Sequence, residues 1–258
     1  MIEARELDKR LADGKVLLDR VSFKALPGEF VALLGASGAG KTLTIRAMAG
    51  LTNLTSGDVR LTINPGESRS IAQAKGRELR RLRSQVGVIF QGLQLVKRLT
   101  VIENVMIGRL GSIHPVRSWL YGFTDGEASQ AYTALERVGM QSFAGRITGS
   151  LSGGEMQRVA VARAVHQKPL LYLADEPIAS LDPRNAETVM AMLQMLSRET
   201  LVVGAFHQPD LVRRYCTRAI ALRQGKVVYD GPPALSQSQL LEIYGAEIAT
   251  MEQQVGRQ

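Results

Sequence analysis

Residues 30–42 read FVALLGASGAGKT, an apolar run followed by three glycines and two alanines around a single lysine. Glycine loses more backbone entropy on folding than any other residue, so such a run is kept where another backbone or a ligand must come very close. Gly35, Gly40, Lys41 and Thr42 satisfy G-x-x-x-x-G-K-[ST] between a strand-like and a helix-like segment, as a phosphate-binding P-loop requires. The backbone N–H groups of Gly35, Ala36, Ser37, Gly38, Ala39 and Gly40 then converge on the phosphates of a nucleotide. Lys41 adds a full positive charge, the helix N-terminus a partial one, and the Thr42 hydroxyl a ligand for Mg²⁺. A plain glycine turn before a helix is the alternative, and this placement leaves it little room.

Composition bounds what the loop can serve. A chain of 258 residues, 45% of them hydrophobic, accommodates one large domain or a core with a subdomain. The single cysteine, Cys216, excludes an internal disulfide framework and a cysteine-based metal cluster, and reads as a small buried apolar residue suited to a reducing compartment. No apolar run approaches the ~18 residues needed to span a bilayer, and the opening MIEARELDKR alternates charged with apolar residues, so a soluble, unexported chain is expected. The net charge of +8 suits nucleic acid, an anionic membrane surface or a polyanionic ligand, and does not choose among them.

Outward from the loop, VSFKALPGEFVALLG (21–35) reads as strands broken at the Pro27–Gly28 turn. KTLTIRAMAGL reads as a helix with Leu43, Ala47 and Leu51 on one face and Gly50 as its stop. Strands follow at GDVRLTIN (57–64) and VGVIFQ (86–91), separated by a polar stretch from Pro65 to Gly76 and a basic run, KGRELRRLRSQ. At helical spacing Arg77, Arg80, Arg81 and Arg83 spread around Leu79 and Leu82, which favours a solvated helix face over a nucleic-acid patch.

Residues 95–150 are mostly helix-forming and include the only tryptophan, Trp119, in the apolar stretch SWLYGF; they read as a helical subdomain inserted into a core formed by 1–94 and 151–258. The core pattern resumes with a helix (EMQRVAVARAVHQ), a strand (LLYLAD), a helix from about Pro183 to Arg198, a strand (TLVVGAFH) and a helical tail after Pro233. His114 and His166 are isolated, without metal-ligand spacing, and read as surface or hydrogen-bonded histidines. Strands alternating with helices predict an α/β domain with a largely parallel, covered sheet.

Two further motifs supply chemistry. LLYLADEP ends an apolar strand in Asp175, placed to reach the metal, and Glu176, the candidate general base. LSGGE (151–155) opens a helix; Ser152 and Glu155 form a capping box, and Gly153 and Gly154 make its N-terminus an anion site. This signature resembles the ATP-binding cassette (ABC) ATPases. The resemblance spans nearly the whole chain, because Gln91 after VGVIF, Ser180–Asp182 (SLD) and His207 after LVVGAF fall in the family's order.

The resemblance implies a P-loop NTPase core with a mixed sheet, an antiparallel β region and an inserted α-helical subdomain. It implies ATP with Mg²⁺ held by Thr42, Asp175 and Gln91, and catalysis by Glu176, Gln91 and His207, the last contacting the γ-phosphate. It also implies a head-to-tail dimer, with itself or a homologue, in which two nucleotides lie between the P-loop of one subunit and Ser152, Gly153 and Gly154 of the other, with Asp182 at the interface. One departure stands out: where the family places an aromatic residue to stack on adenine, LDKRLADGK offers only Leu11 and Ala12.

Among ABC proteins the chain resembles most the ATP-binding subunits of phosphonate importers, on NVMIGRLGS (104–112), PVRSWLYGFT (115–124), LADEPIASLDP (173–183) and RYCTRAIALRQGKVVYDGPP (214–233). That resemblance implies a peripheral position on the cytoplasmic face of the inner (plasma) membrane, integral membrane permease subunits that dock on the helical subdomain, an external solute-binding protein met only indirectly, and no nucleic acid. Uptake of phosphonate or a related phosphorus oxyanion is the expected work. The alternative is a soluble ABC ATPase acting in a carbon–phosphorus cleavage assembly or on nucleic acid; neither the long coiled coil of DNA-repair members nor the tandem cassettes of translation-associated ones is present.

Overall fold

Strand β3 (Phe30–Leu34), the apolar run that leads into the glycine loop, is buried at all five positions. It needs cover on both faces, which is why its sequence is continuously apolar rather than alternating. The computed structural model, which describes residues 1–112 and 124–245, supplies that cover on each side. The stretch SWLYGF, with Trp119 and Phe123, lies outside the described residues, as does His114.

β3 lies inside a six-stranded sheet with β6 (Val86–Ile89), β7 (Leu171–Asp175), β8 (Val202–Ala205), β9 (Arg218–Arg223) and β10 (Lys226–Gly231), in the order β10-β9-β3-β8-β7-β6. All its pairings are parallel except the β9–β10 hairpin. The expected largely parallel sheet is therefore present, with one antiparallel edge. A separate four-stranded antiparallel sheet, β2-β1-β4-β5, is built from β1 (Ile2–Arg10), β2 (Val16–Ala25), β4 (Ser56–Asn64) and β5 (Glu67–Ser70).

Side chains on the large sheet alternate between two cores, as the pleat demands. Val31, Leu33, Leu173, Val203 and Ile220 pack on one face with helix α1 (Lys41–Met48) and the antiparallel sheet. Phe30, Ala32, Tyr172, Ala174 and Ala219 pack on the other with helices α5 (Gly153–His166) and α6 (Pro183–Glu199). Phe30 meets Phe206 edge-on there, with ring centroids 5.8 Å apart.

The second core also takes in Val101 and Val105 of α3 (Val101–Ile107) and Ala131 and Leu135 of α4 (Asp125–Glu136). The helices between residues 95 and 150 thus bury their apolar faces against α5 and share its core. Capping boxes open both, Thr100 with Glu103 and Thr124 with Glu127. Asn104, fully buried in α3, donates to the carbonyls of Val96 (3.0 Å) and Thr100 (3.1 Å) and to Thr148 Oγ1 (2.9 Å), and accepts from Val96 N–H (2.8 Å). One side chain fastens both ends of the segment.

The structure adds strands at positions where the sequence reading assigns none: the alternating amino terminus is β1, and the polar stretch after Pro65 contains β5. α1 stops at Met48, ahead of Gly50 with φ +66°, so Leu51 lies beyond the helix and is exposed. A short helix, α7 (Pro209–Tyr215), and the β9–β10 hairpin fill the region before the tail helix, α8 (Gln237–Tyr244). Cys216 is buried as expected, and burial pushes its thiol pKa up. α2 (Gly76–Ser84) carries the basic run on its exposed side and buries Leu82.

His166 is not at the surface. It is 1% exposed at the end of α5, and burial, aided by Arg109 and Lys168 and opposed by Glu127, pushes its pKa down to about 4 from 6.5. The unfolded chain then binds more protons than the folded one below pH 6.5, so this contribution to stability falls as pH drops from 6.5 toward 4. Acidification from pH 7.5 to 5 is expected to cost about 2 kcal/mol through this residue. Urea midpoints of wild type and His166→Gln at the two pH values check this, the variant showing the smaller drop.

Candidate functional site

The glycine loop turns directly from β3 into α1. Gly35 has φ +141°, and a Cβ there would lie 2.2 Å from the carbonyl oxygen of Leu222 in β9, so no other residue fits. Gly40 occupies the N-cap of α1 without a side-chain cap, and the first-turn N–H groups are left for a ligand. Lys41, 4% exposed, lies back along the loop and donates from Nζ to the carbonyls of Gly35 (2.6 Å) and Ala36 (3.1 Å). These bonds hold the loop in a ring around its own lysine.

An open cavity of about 320 Å³ sits against this ring. Ser37, Gly38, Ala39, Gly40, Lys41, Thr42 and Leu43 line it from the loop and α1, and Leu17, Arg46 and Glu176 complete the lining. Leu17 and Arg46 escaped the sequence reading. Leu17 had no local signal, since only the pairing of β2 brings it beside the loop. Leu11, the expected place of an adenine-stacking residue, is exposed and does not line the cavity.

Across the cavity floor, Thr42 Oγ1 donates to Asp175 Oδ1 at 2.7 Å, joining the P-loop to the end of β7 over 133 residues of sequence. Asp175 is 4% exposed, and desolvation is the main reason its pKa lies above the ordinary carboxylate value; the Thr42 bond works against that rise, and the neighbouring Glu176 adds to it. A buried carboxylate of this kind attracts a cation.

Glu176 adopts φ +50°, the left-handed region that a residue with a Cβ rarely occupies. The turn aims its carboxylate at two partners. Gln91 Nε2 donates to Oε2 at 3.0 Å, and His207 Nε2 lies 2.7 Å from Oε1. Gln91, Glu176 and His207, three separate sequence expectations, therefore form one hydrogen-bonded cluster beside the phosphate loop. The loop after Gln91 is held in turn by Arg163 of α5, whose guanidinium donates to the carbonyls of Leu93 and Gln94, each at 2.6 Å. Both of those residues have positive φ.

Ser152, Gly153, Gly154 and Asp182 form a second cluster that is absent from the lining of the P-loop cavity. Ser152 caps α5, its Oγ accepting from Glu155 N–H (3.4 Å) while Glu155 accepts from Ser152 N–H (2.7 Å). Asp182 caps α6 by accepting from Asn185 N–H (3.1 Å) and Asn185 Nδ2 (2.6 Å), and these bonds hold its carboxyl below the usual range. The two caps touch: a Cβ on Gly154 would lie 2.6 Å from the Asn185 amide, so any larger residue there would displace the Asn185 side chain. The Ser152–Asp182 cluster and the P-loop cavity are therefore separate places on the chain.

The comparisons with known proteins agree with this geometry. Residues 18–179 match the family described as ABC transporter. The chain belongs to the ABC transporter family. The phosphonates import ATP-binding protein of Cupriavidus metallidurans is 43% identical over 95% of this chain and 87% of its own length. Its counterpart from Halalkalibacterium halodurans is 42% identical over 95% of each chain. Among solved structures, an ABC transporter cassette in its ADP conformation superposes with a TM-score of 0.81 at 25% identity, over 94% of this chain and 97% of the other. A dimeric cassette in a post-hydrolysis state, bound to ADP and Pi, superposes at 0.77 with 28% identity, over 92% of this chain and all of the other. This ABC protein is accordingly an ATP-binding, ATP-hydrolysing cassette.

The buried charge at Asp175 has a measurable consequence. An acid with a raised folded pKa destabilises the fold once pH exceeds its unfolded pKa, and the penalty grows until the folded group ionises. Asp175→Asn keeps an acceptor for Thr42 and removes the charge. In nucleotide-free protein it is expected to raise the urea midpoint at pH 7.5, with the gain shrinking toward pH 4, while ATP hydrolysis is lost.

Proposed function

We propose that this cassette is the energy-coupling subunit of an importer of phosphonates or a related phosphorus oxyanion, hydrolysing ATP with Glu176 as the general base. The observation that carries the catalytic part is Glu176 itself, fixed by Gln91 and His207 at the wall of the phosphate-binding cavity. A carboxylate with both oxygens engaged is oriented to accept a proton from a water attacking the γ-phosphate. His207 steadies that carboxylate and reaches the γ-phosphate, and Lys41 exchanges its loop carbonyls for phosphate oxygens. The solute class rests on the relatives that span nearly the whole chain.

Mg²⁺ suits the donor set. It is bound by few protein ligands and keeps waters and phosphate oxygens, and Thr42 with the buried, desolvated Asp175 offers one hydroxyl and one carboxylate. Gln91 is the third candidate ligand. When bound, the ion neutralises charge on the β- and γ-phosphates.

Because Ser152, Gly153, Gly154 and Asp182 lie away from the P-loop cavity, a second subunit in head-to-tail orientation supplies them to each nucleotide. Permease subunits have a groove to enter. It has a volume of about 270 Å³, lies against the loop after Gln91, and is lined by Leu51, Val88, Phe90, Ile107 and Arg163 among others. No helix among the described residues is long and apolar enough to cross a membrane, and docking in this groove would hold the cassette at the cytoplasmic membrane face. The helical region from 95 to 150 contributes Ile107 and Gly108 to that groove.

A strain lacking this gene and any homologue should grow on phosphate and fail on a phosphonate as sole phosphorus source. Wild type should restore growth; Glu176→Gln, which retains shape but accepts no proton, should bind ATP, hydrolyse it at least about a hundredfold more slowly, and restore nothing. Normal growth of the deletion strain on phosphonate would overturn the transport reading; near wild-type hydrolysis by the variant would overturn the catalytic one.

Leu17 provides the apolar surface nearest the nucleoside end of the cavity in place of an aromatic ring, so triphosphate contacts dominate affinity and base selectivity is weak. ATP and GTP titrations should give similar Kd values. Leu17→Tyr should tighten ATP by up to ~1.5 kcal/mol through stacking, and Leu11→Tyr should leave it unchanged.

A further inference from the structure

A second concavity, of about 500 Å³, lies away from the nucleotide cavity and carries a strong charge. α2 presents Arg77, Arg80 and Arg81 along one face at i, i+3 and i+4. Arg109, just beyond α3, and Lys168, just beyond α5, close the basin from the other side. No acidic residue lines it, and Arg77, Arg80 and Arg81 make no ion pair among the described residues.

The cations are held together by the backbone. Gln167 Nε2 donates to the carbonyls of Arg83 (3.1 Å), Ser84 (3.0 Å) and Val86 (3.0 Å), pinning the end of α5 against the end of α2. Lys168 follows in the left-handed region, with φ +52°. Leu82 anchors α2 from its buried side, and Arg109 is steadied by a 2.6 Å bond to Gln130 Oε1. The basin's field reaches the interior, since Arg109 and Lys168 both disfavour protonation of the buried His166.

We propose that this basin binds phosphate groups, carried either by a soluble polyphosphate or by an anionic lipid headgroup, at a site separate from the nucleotide site. Five cations around one concavity with no acidic residue in its lining call for an anion of high charge density, although Arg77 and Arg81 also lie beside Glu67 and Glu78 in a neighbouring depression. A phosphate group carries up to about two charges on one centre with several acceptor oxygens, which guanidinium forks match. An acidic peptide brings one charge for every ~3.5 Å of extended chain, and fills the basin less completely.

The test uses the full-length protein saturated with ADP, so that the P-loop is filled. Inorganic pyrophosphate is titrated calorimetrically at low salt, and flotation is measured with vesicles of 30% phosphatidylglycerol in phosphatidylcholine and of phosphatidylcholine alone. Arg77→Ala/Arg80→Ala/Arg81→Ala, all exposed positions, and the single reversal Arg80→Glu are compared with wild type, with ATPase kcat and circular dichroism as folding controls. Wild-type binding of pyrophosphate that falls at least about tenfold in the triple variant and weakens with salt supports the soluble source. Flotation with anionic vesicles alone, lost in the triple variant, supports the headgroup source. The proposal is overturned if wild type binds neither probe, if both variants bind as wild type does, or if only a polyglutamate peptide competes for the basin.

Discussion

Parallel pairing is the constraint on which the rest depends. Leu33 pairs with Ala205, Asp175 with Ala205, and Ile89 with Ala174, so β3, β8, β7 and β6 end in register at one edge of the sheet. Each strand delivers functional groups within a residue or two of that end: the P-loop from β3, Gln91 from β6, Asp175 and Glu176 from β7, and His207 from β8. The crevice outside the carboxyl ends of parallel strands is where open α/β sheets bind ligands. Burial on both faces keeps those ends level, because a one-residue slip would turn the alternating β3 side chains into the wrong core.

The site is held by interactions that oppose local stability. Asp175 keeps a buried, desolvated carboxylate, and Glu176 keeps a left-handed backbone. Neither would persist without the surrounding core over-determining the strand ends. A cation bound beside Asp175 would relieve the first. Function and folding pull in opposite directions at these two adjacent positions.

α5 connects the LSGGE cap to the loop after Gln91. Its N-terminus carries Ser152, Gly153 and Gly154, and Arg163, three turns on, clamps the carbonyls just after Gln91. The same arginine lines the groove where a permease would dock. A rigid helix with a charge-bearing clamp at one end and the LSGGE cap at the other gives the Glu176 cluster, that cap and the groove a common element.

The local motifs were legible because their chemistry is contained in a few consecutive residues. A phosphate loop needs its glycines and lysine together, a capping box needs Ser152 and Glu155 three apart, and a buried parallel strand announces itself by an unbroken apolar run. Sequence therefore determined the loop, the acidic strand end, the signature helix and the family they imply. Tertiary structure alone decided that Gln91 and His207 meet on the two oxygens of Glu176, that Leu17 rather than Leu11 lines the cavity, and that three cations of α2 and one each from just beyond α3 and α5 surround one basin. It also decided that β1 and β5 are strands, since charged, partly exposed segments show their pairing only once partners stand beside them. Each of these depends on strand order and register between residues tens to more than a hundred positions apart, and pairing over such distances leaves no pattern in any short window of the chain.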